Sequence, residues 1–229
     1  MRAKQVMGMD NIRVNTSPAI GGFDAVVAAN GELPTRGPAL DVLRGAPFLC
    51  CCDGAGERLW RLGFRPDVVV GDGDSLSDDF RSSYDGVVER VSEQEDNDLT
   101  KATRLCMSRG FRRIAYVGCT GMREDHTLGN IFLMPRYRRD FGLLPVMITD
   151  YGYFIPASGD AAFATFARQQ VSIFNVSCLH LSGEGLRWQP YTYTQLWQGT
   201  LNEAVGDTVV MHADGEYIMY FTHEAKQAK

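Results

Sequence analysis

Three short segments carry the residue types from which metal-assisted phosphate chemistry is built. Gly71-Asp72-Gly73-Asp74-Ser75 follows directly on the apolar run Val68-Val69-Val70. Two carboxylates one residue apart at a strand's end can share a divalent cation with a phosphate, and all-oxygen donors suit Mg²⁺ or Mn²⁺ rather than zinc. Gly71 and Gly73 allow the tight backbone that such convergence needs. The same pattern also serves as a polar turn whose aspartates cap the next helix. In the second segment, Glu93-Gln94-Glu95-Asp96-Asn97-Asp98 precedes Leu99, Ala102, Leu105 and Cys106, which repeat at helical spacing. Acidic residues there cap free N–H groups and complement the helix dipole. The sharper alternative makes Asp98 a further metal-directed carboxylate and Lys101, one turn on, a phosphate contact.

The third segment, Gly118-Cys119-Thr120-Gly121-Met122-Arg123-Glu124-Asp125-His126, again follows an apolar run, 114–117. A glycine-containing turn can aim backbone N–H groups at an anion where a helix begins. Arg123 can neutralise charge on phosphate oxygens during transfer, and Asp125 can bind metal or receive a hydroxyl proton. His126 is more often a packed or capping residue than a base. A fourth loop, Asp53-Gly54-Ala55-Gly56-Glu57-Arg58, has the same strand–glycine–helix form and is weaker evidence by itself. Carboxylates gathered at one edge without a cation would repel one another. Metal-assisted phosphate chemistry explains the gathering better than four independent caps.

The elements that must position these loops are legible as alternation. Apolar runs at 23–29, 47–52, 68–70, 114–117 and 144–149 are separated by helix-length stretches, among them those ending at Leu43, spanning 56–62 and spanning 128–137. Short, nearly continuous apolar strands separated by helices predict a parallel sheet covered on both faces. Chemistry in such sheets collects beyond the carboxyl ends of the strands. After Tyr151 the texture changes: only four Lys/Arg and seven Asp/Glu remain in the last 79 residues. Alternating runs at 171–174, 191–194, 208–211 and 217–221 predict a small antiparallel sandwich, with Asp214-Gly215 read as a hairpin turn. The expected fold class is therefore α/β followed by all-β. The expected divisions are a polar segment 1–22, an α/β unit 23–152 and a β-sandwich 153–229.

Composition excludes several classes. The 229 residues are 45% hydrophobic and 22% charged, as in ordinary globular proteins rather than disordered ones. A net charge of -5 gives nucleic-acid binding no electrostatic footprint. No apolar run approaches the ~20 residues needed to span a bilayer, and 1–22 lacks the apolar core of a signal peptide. Six cysteines without a CxxC pair, three of them consecutive at 50–52, read as buried thiols in a reducing compartment. Cytoplasmic location is expected.

In motif order from Asp53 onward the chain resembles the thiamine pyrophosphokinase (thiamine diphosphokinase) family. Asp53-Gly54-Ala55-Gly56 is similar to the family's DGGAN turn, and Pro66-Asp67-Val68-Val69-Val70-Gly71-Asp72-Gly73-Asp74-Ser75 to its PDxxxGDxDS. Gln94 to Lys101 resembles QDxTDxxK, and Gly118 to Asn130 resembles GATGGRxDHxxxN. Gly185-Leu186-Arg187-Trp188 is similar to GLKW, and Leu201-Asn202-Glu203 to SNE. The resemblance implies a nucleotide-binding α/β domain and a β-sandwich in a homodimer whose active sites lie between subunits. The implied reaction transfers pyrophosphate from ATP to thiamine. By that resemblance Asp72, Asp74 and Asp98 bind Mg²⁺ and, with Asp125 and Arg123, form the catalytic set. Asp53, Gly54, Lys101, Thr120, Gly121, Arg123 and His126 contact ATP. Gln94, Asp125, Asn202 and the partner's Trp188 contact thiamine. The chain departs from the family at Met122 for Gly, Asn97 for Thr, Gly73 for a bulkier residue and Leu201 for Ser.

Two rival readings use some of the same residues. A metal-dependent nucleotide-sugar glycosyltransferase also uses DxD, but does not account for the loops of Asp98/Lys101 and Arg123/Asp125. A non-catalytic thiamine-binding homologue draws on the departures at Met122 and Leu201.

Overall fold

The structure, a computed structural model, describes residues 13–14, 22–72, 74, 76–91 and 95–227. The expected site residue Gln94 and the intervening Gly73 lie outside them, as does most of 1–22. In chain order the first half contains β1 (Arg13–Val14), β2 (Ala25–Ala28), α1 (Gly37–Arg44), β3 (Leu49–Cys52), α2 (Gly54–Arg61) and β4 (Val68–Gly71). It continues through α3 (Asp78–Ser83), β5 (Val87–Arg90), α4 (Asp98–Ser108), β6 (Arg113–Val117), α5 (Glu124–Phe141) and β7 (Leu144–Ile148). The second half contains β8 (Gly152–Ser158), β9 (Ala161–Ala164), β10 (Gln169–Asn175), β11 (Leu181–Glu184), a 3₁₀ turn (Leu196–Gly199), β12 (Asn202–Glu203), β13 (Thr208–Ala213) and β14 (Glu216–Ala225).

Strands β7, β6, β2, β3, β4 and β5 lie side by side in that order, all parallel. The chain starts at β2, steps outward to β5, then returns to the other side of β2 as β6, so the order reverses between β2 and β6. That reversal opens a crevice at the strands' carboxyl ends. Alternate side chains face opposite layers, as the pleat requires. Val26, Ala28, Cys51 and Val69 share a core with Val42 and Leu43 of α1, Leu59 of α2 and Phe80 of α3. Val27, Cys50, Cys52 and Val70 pack with Leu99, Ala102 and Cys106 of α4 and Met134 and Tyr137 of α5. The cysteines at 50–52 are buried free thiols, as their setting in an apolar run predicts.

The α/β sheet with following antiparallel strands matches the expected fold class, but the two parts are not separate sheets. Strand β7 pairs antiparallel with β8, and the same sheet continues through β14 and β10 to β12. A second sheet, β1-β9-β13-β11, packs on this antiparallel half. Phe163 of β9 meets Tyr217 and Phe221 of β14 at centroid distances of 6.4 and 5.6 Å.

Two local expectations are corrected. Asp214-Gly215 does not close a hairpin: β13 pairs with β9 and β11, whereas β14 pairs with β8 and β10, so the turn carries the chain between sheets. Its Asp214 carboxylate accepts from the N–H groups of Leu179 and His180, which docks the turn on a neighbouring loop. The run 191–194 is not a strand. Its alternation reflects one-sided burial of Tyr193, and side chains provide its hydrogen bonds: the Thr192 hydroxyl accepts from Leu181 N–H, and Asn175 donates to Tyr193 O. Strands β5, β8, β9 and β11 and helix α3 carry no strong sequence period and were not expected.

Candidate active site

Five loops at the carboxyl edge form one cleft of about 720 Å³. Its lining includes Asn30 and Gly31 after β2, Asp53 after β3, Asp72 after β4, and Gly121 to Arg123 after β6. The start of α4 adds Glu95 to Leu99 and Lys101, and α5 adds His126 and Asn130.

The loops are stitched together by main chain. Gly31 N–H donates to Gly118 O at 2.7 Å and Glu32 N–H to Thr120 O at 2.8 Å. A Cβ at Gly31 would come within 2.5 Å of both the Gly118 and Thr120 carbonyls, so only glycine permits this approach. Arg58 braces the same turn from α2, its guanidinium donating to Asn30 O, Asn30 Oδ1 and Gly31 O. Asn130 donates to Cys119 O at 2.9 Å, tying α5 to the loop after β6.

At the start of α4 two tasks are divided. Asn97 is the cap, its side-chain oxygen accepting from Thr100 N–H at 3.0 Å and the Thr100 hydroxyl at 2.8 Å. Asp98 is thereby not needed as a cap and lines the cleft. Its Oδ1 lies 3.3 Å from the Nζ of Lys101, a lysine only 7% exposed. Asp96 has a different job: Arg104 of α4 and Arg136 of α5 both pair with it, at 2.5 and 2.9 Å, anchoring the loop.

Asp72 lines the cleft, and its Oδ1 accepts from Asp74 N–H at 2.9 Å. Asp74 stands on the same turn but not in the lining. Behind this turn Glu57 accepts from the N–H and hydroxyl of Ser77, the cap of α3, at 2.9 and 2.7 Å, and from Arg61. The Ser77 N–H, then Arg61 and the Ser77 hydroxyl, hold the Glu57 carboxyl at about 2.

Arg123 and Asp125 form a two-pronged pair, 3.1 and 2.6 Å, at the exposed rim. The guanidinium, with a smaller part from His126 N–H, holds the Asp125 carboxyl below its usual range. At the rim the carboxylate stands where it could orient an acceptor hydroxyl. Asp53 stands at the N-cap position of α2 without a side-chain capping bond and at φ +40°, a strained value for a residue other than glycine.

Of the expected ATP contacts, Asp53, Lys101, Gly121, Arg123 and His126 line the cleft. Gly54 opens α2 beside it, and Thr120 borders a smaller neighbouring pocket. Trp188 and Asn202 sit in the second half, away from this chain's own cleft lining. The Asn202 side chain is 5% exposed and bound to main chain: it accepts from Trp188 N–H and Glu203 N–H and donates to Trp188 O. It holds Trp188 rather than facing outward. The roles of Asp96, Arg58, Glu57 and Asn97 were not assigned from sequence. The i to i+4 spacing of Glu57 and Arg61 and the three-residue spacing of Asn97 and Thr100 are local signals, whereas Arg58 and Arg136 meet partners remote in the chain.

Among the described residues no group of three or more His, Cys, Asp or Glu side chains could by itself hold a metal ion. Mg²⁺ does not require one: it usually takes one or two carboxylates and completes its shell with water and substrate phosphates. Asp72 and Asp98, all-oxygen donors on one cleft, fit that pattern.

Comparison with known proteins agrees with this layout. Residues 39–143 match the family described as "Thiamin pyrophosphokinase, catalytic domain", and residues 152–220 match "Thiamin pyrophosphokinase, substrate-binding domain". The chain belongs to the thiamine pyrophosphokinase family. It is similar to thiamine pyrophosphokinase 1 of Oryza sativa subsp. japonica, 30% identical over 139 residues, covering 49% of this chain and 52% of that protein. It is also similar to thiamine pyrophosphokinase 1 of Arabidopsis thaliana, 28% identical over 138 residues, covering 49% and 51%. The chain thus spans about half the length of these relatives. The solved yeast thiamin pyrophosphokinase shares its fold with a TM-score of 0.75 at 14% identity over 94% of this chain and 93% of that one. The Candida albicans enzyme gives 0.73 at 16% identity over 88% and 90%. Neither the glycosyltransferase nor the non-catalytic reading is favoured by these likenesses.

Proposed function

We propose that the protein is a thiamine pyrophosphokinase, converting ATP and thiamine to AMP and thiamine diphosphate. The observation that carries this is one cleft at the reversal point of a family-matched sheet, lined by Asp72, Asp98, Lys101 and Arg123. The acceptor hydroxyl oxygen attacks the β-phosphorus in line, the bond from that phosphorus to the oxygen bridging the α- and β-phosphates breaks, and AMP leaves. The hydroxyl proton passes to solvent while Asp125 orients the oxygen. Lys101 and Arg123 neutralise phosphate charge, with Arg123 exchanging Asp125 for a phosphate when ATP is bound. Mg²⁺, held by Asp72 and Asp98 with Asp74 nearby, would neutralise the triphosphate further. Backbone N–H groups of the 118–121 turn and of Gly54 would receive the nucleotide.

In this reading 23–152 forms the catalytic unit and 153–229 the thiamine-binding and dimerisation unit, following the polar segment 1–22. Large apolar side chains exposed between Trp188 and Val205, including Trp197 at 72%, supply a surface for a second copy, which is how Trp188 would reach a cleft. No helix among the described residues is long and apolar enough to cross a membrane, which accords with the proposed cytoplasmic location. Gln94, outside the described residues, is proposed to face thiamine on the resemblance alone. Thiamine-dependent turnover of ATP, set against UDP-sugar turnover, tests the reading: thiamine consumption with ATP supports it, and activity only on UDP-sugars overturns it.

A further inference from the structure

Met122 has a conformation and a setting that folding does not account for. Its φ is +60°, a left-handed value that a side chain bearing Cβ adopts at a cost. It follows Gly121, itself at φ +75°, where a Cβ would come within 2.6 Å of the Glu32 Cβ. No burial offsets the cost, because Met122 is 68% exposed. It nevertheless lines the cleft, and among the described lining residues it is the one exposed large hydrophobic side chain. The other apolar groups there, such as Leu99 and Cys119, are buried in the floor. A thioether held at the rim of a charged cleft suits one class of occupant: a flat heteroaromatic ring, which sulfur contacts favourably at its edge.

We propose that Met122 is a specificity-determining residue that walls the cleft against the ring of the acceptor. This rests on the pyrophosphokinase reading, in which Asp125, three residues on, orients the acceptor hydroxyl while the phosphates lie deeper, by Asp72, Asp98 and Lys101. The side chain is long and unbranched and reaches over the rim; the main chain retains a conformation better suited to glycine so that it can.

The test compares Met122→Gly, Met122→Ser and Met122→Leu with the unaltered chain by steady-state kinetics and by calorimetric titration with thiamine. Met122→Gly and Met122→Ser raise KM for thiamine about three- to tenfold, the range of one sulfur–ring contact, with KM for ATP and kcat changed less than about twofold. Met122→Leu, which keeps the apolar bulk but has no sulfur, falls between the unaltered protein and Met122→Ser, and the Tm of Met122→Gly does not fall. Unchanged thiamine affinity in the Gly and Ser variants, a shift in KM for ATP instead, or a lower Tm in Met122→Gly would overturn the proposal. If the unaltered chain binds thiamine without turnover, the pyrophosphokinase reading fails while the titration still decides Met122. If it does not bind thiamine, both fail.

Discussion

At the start of α4, capping and cleft chemistry fall to adjacent residues. Asn97 satisfies the Thr100 N–H, and Asp98 turns its carboxylate toward Lys101 and the cleft. The two variants should therefore fail differently. Asn97→Ala should cost about 1 kcal/mol of stability, read as a lower Tm, while Asp98→Asn should leave Tm nearly unchanged and remove most turnover. A large loss of Tm in Asp98→Asn would mean that the acid is structural. Asp72→Asn should behave like Asp98→Asn; near-normal activity in both would remove the metal assignment. Sequence singled out Asp98 as the metal-directed carboxylate of this polar run but left open whether it or a neighbour caps the helix, and gave Asp96 no role of its own. The separation depends on Thr100 and Arg104 of α4 and on Arg136 of α5, and the last, brought in by a second helix, leaves no local pattern.

Among the elements, the loops are rigid because each is held from its neighbour. Gly31→Ala would drive a Cβ into two carbonyls, so it should lower Tm by several degrees and weaken ATP binding, measured by titration. Glu57 ties α2 to the cap of α3 behind the Asp72 turn. Its carboxyl is depressed in the folded state, from 4.5 to about 2, so its contribution is present above about pH 4.5 and is lost as pH falls from there toward 2. Glu57→Gln should therefore lower stability at pH 7 by about 1–2 kcal/mol and lessen the acid sensitivity of unfolding between pH 5 and 3. An unchanged acid limb would contradict this. The parallel strands were legible because burial on both faces makes their runs continuously apolar. Strand β5, exposed at the sheet's edge with the sequence Val87-Val88-Glu89-Arg90, lacks that signal. The turn at Asp214-Gly215 was legible as a turn but not as a crossing between sheets, because pairing partners are chosen by tertiary packing.

For the whole molecule, the joining of β7 to β8 makes one sheet the backbone of both halves, and a single core cluster extends from α1 to β14. Calorimetry should accordingly show one cooperative unfolding transition, and two resolved transitions would argue that the halves fold apart. The composition shift after Tyr151 marks a change from parallel to antiparallel pairing rather than a break in the sheet. The exposed Trp197 belongs to this scale as well: Trp197→Glu should shift the sedimentation of the chain from dimer to monomer if that surface receives a second copy. The most direct test of the account is the nucleotide product formed from ATP. With thiamine and Mg²⁺ present, AMP and thiamine diphosphate should appear in equal amounts, and omission of either should abolish both. Formation of ADP, or AMP release indifferent to thiamine, would contradict pyrophosphoryl transfer at this cleft.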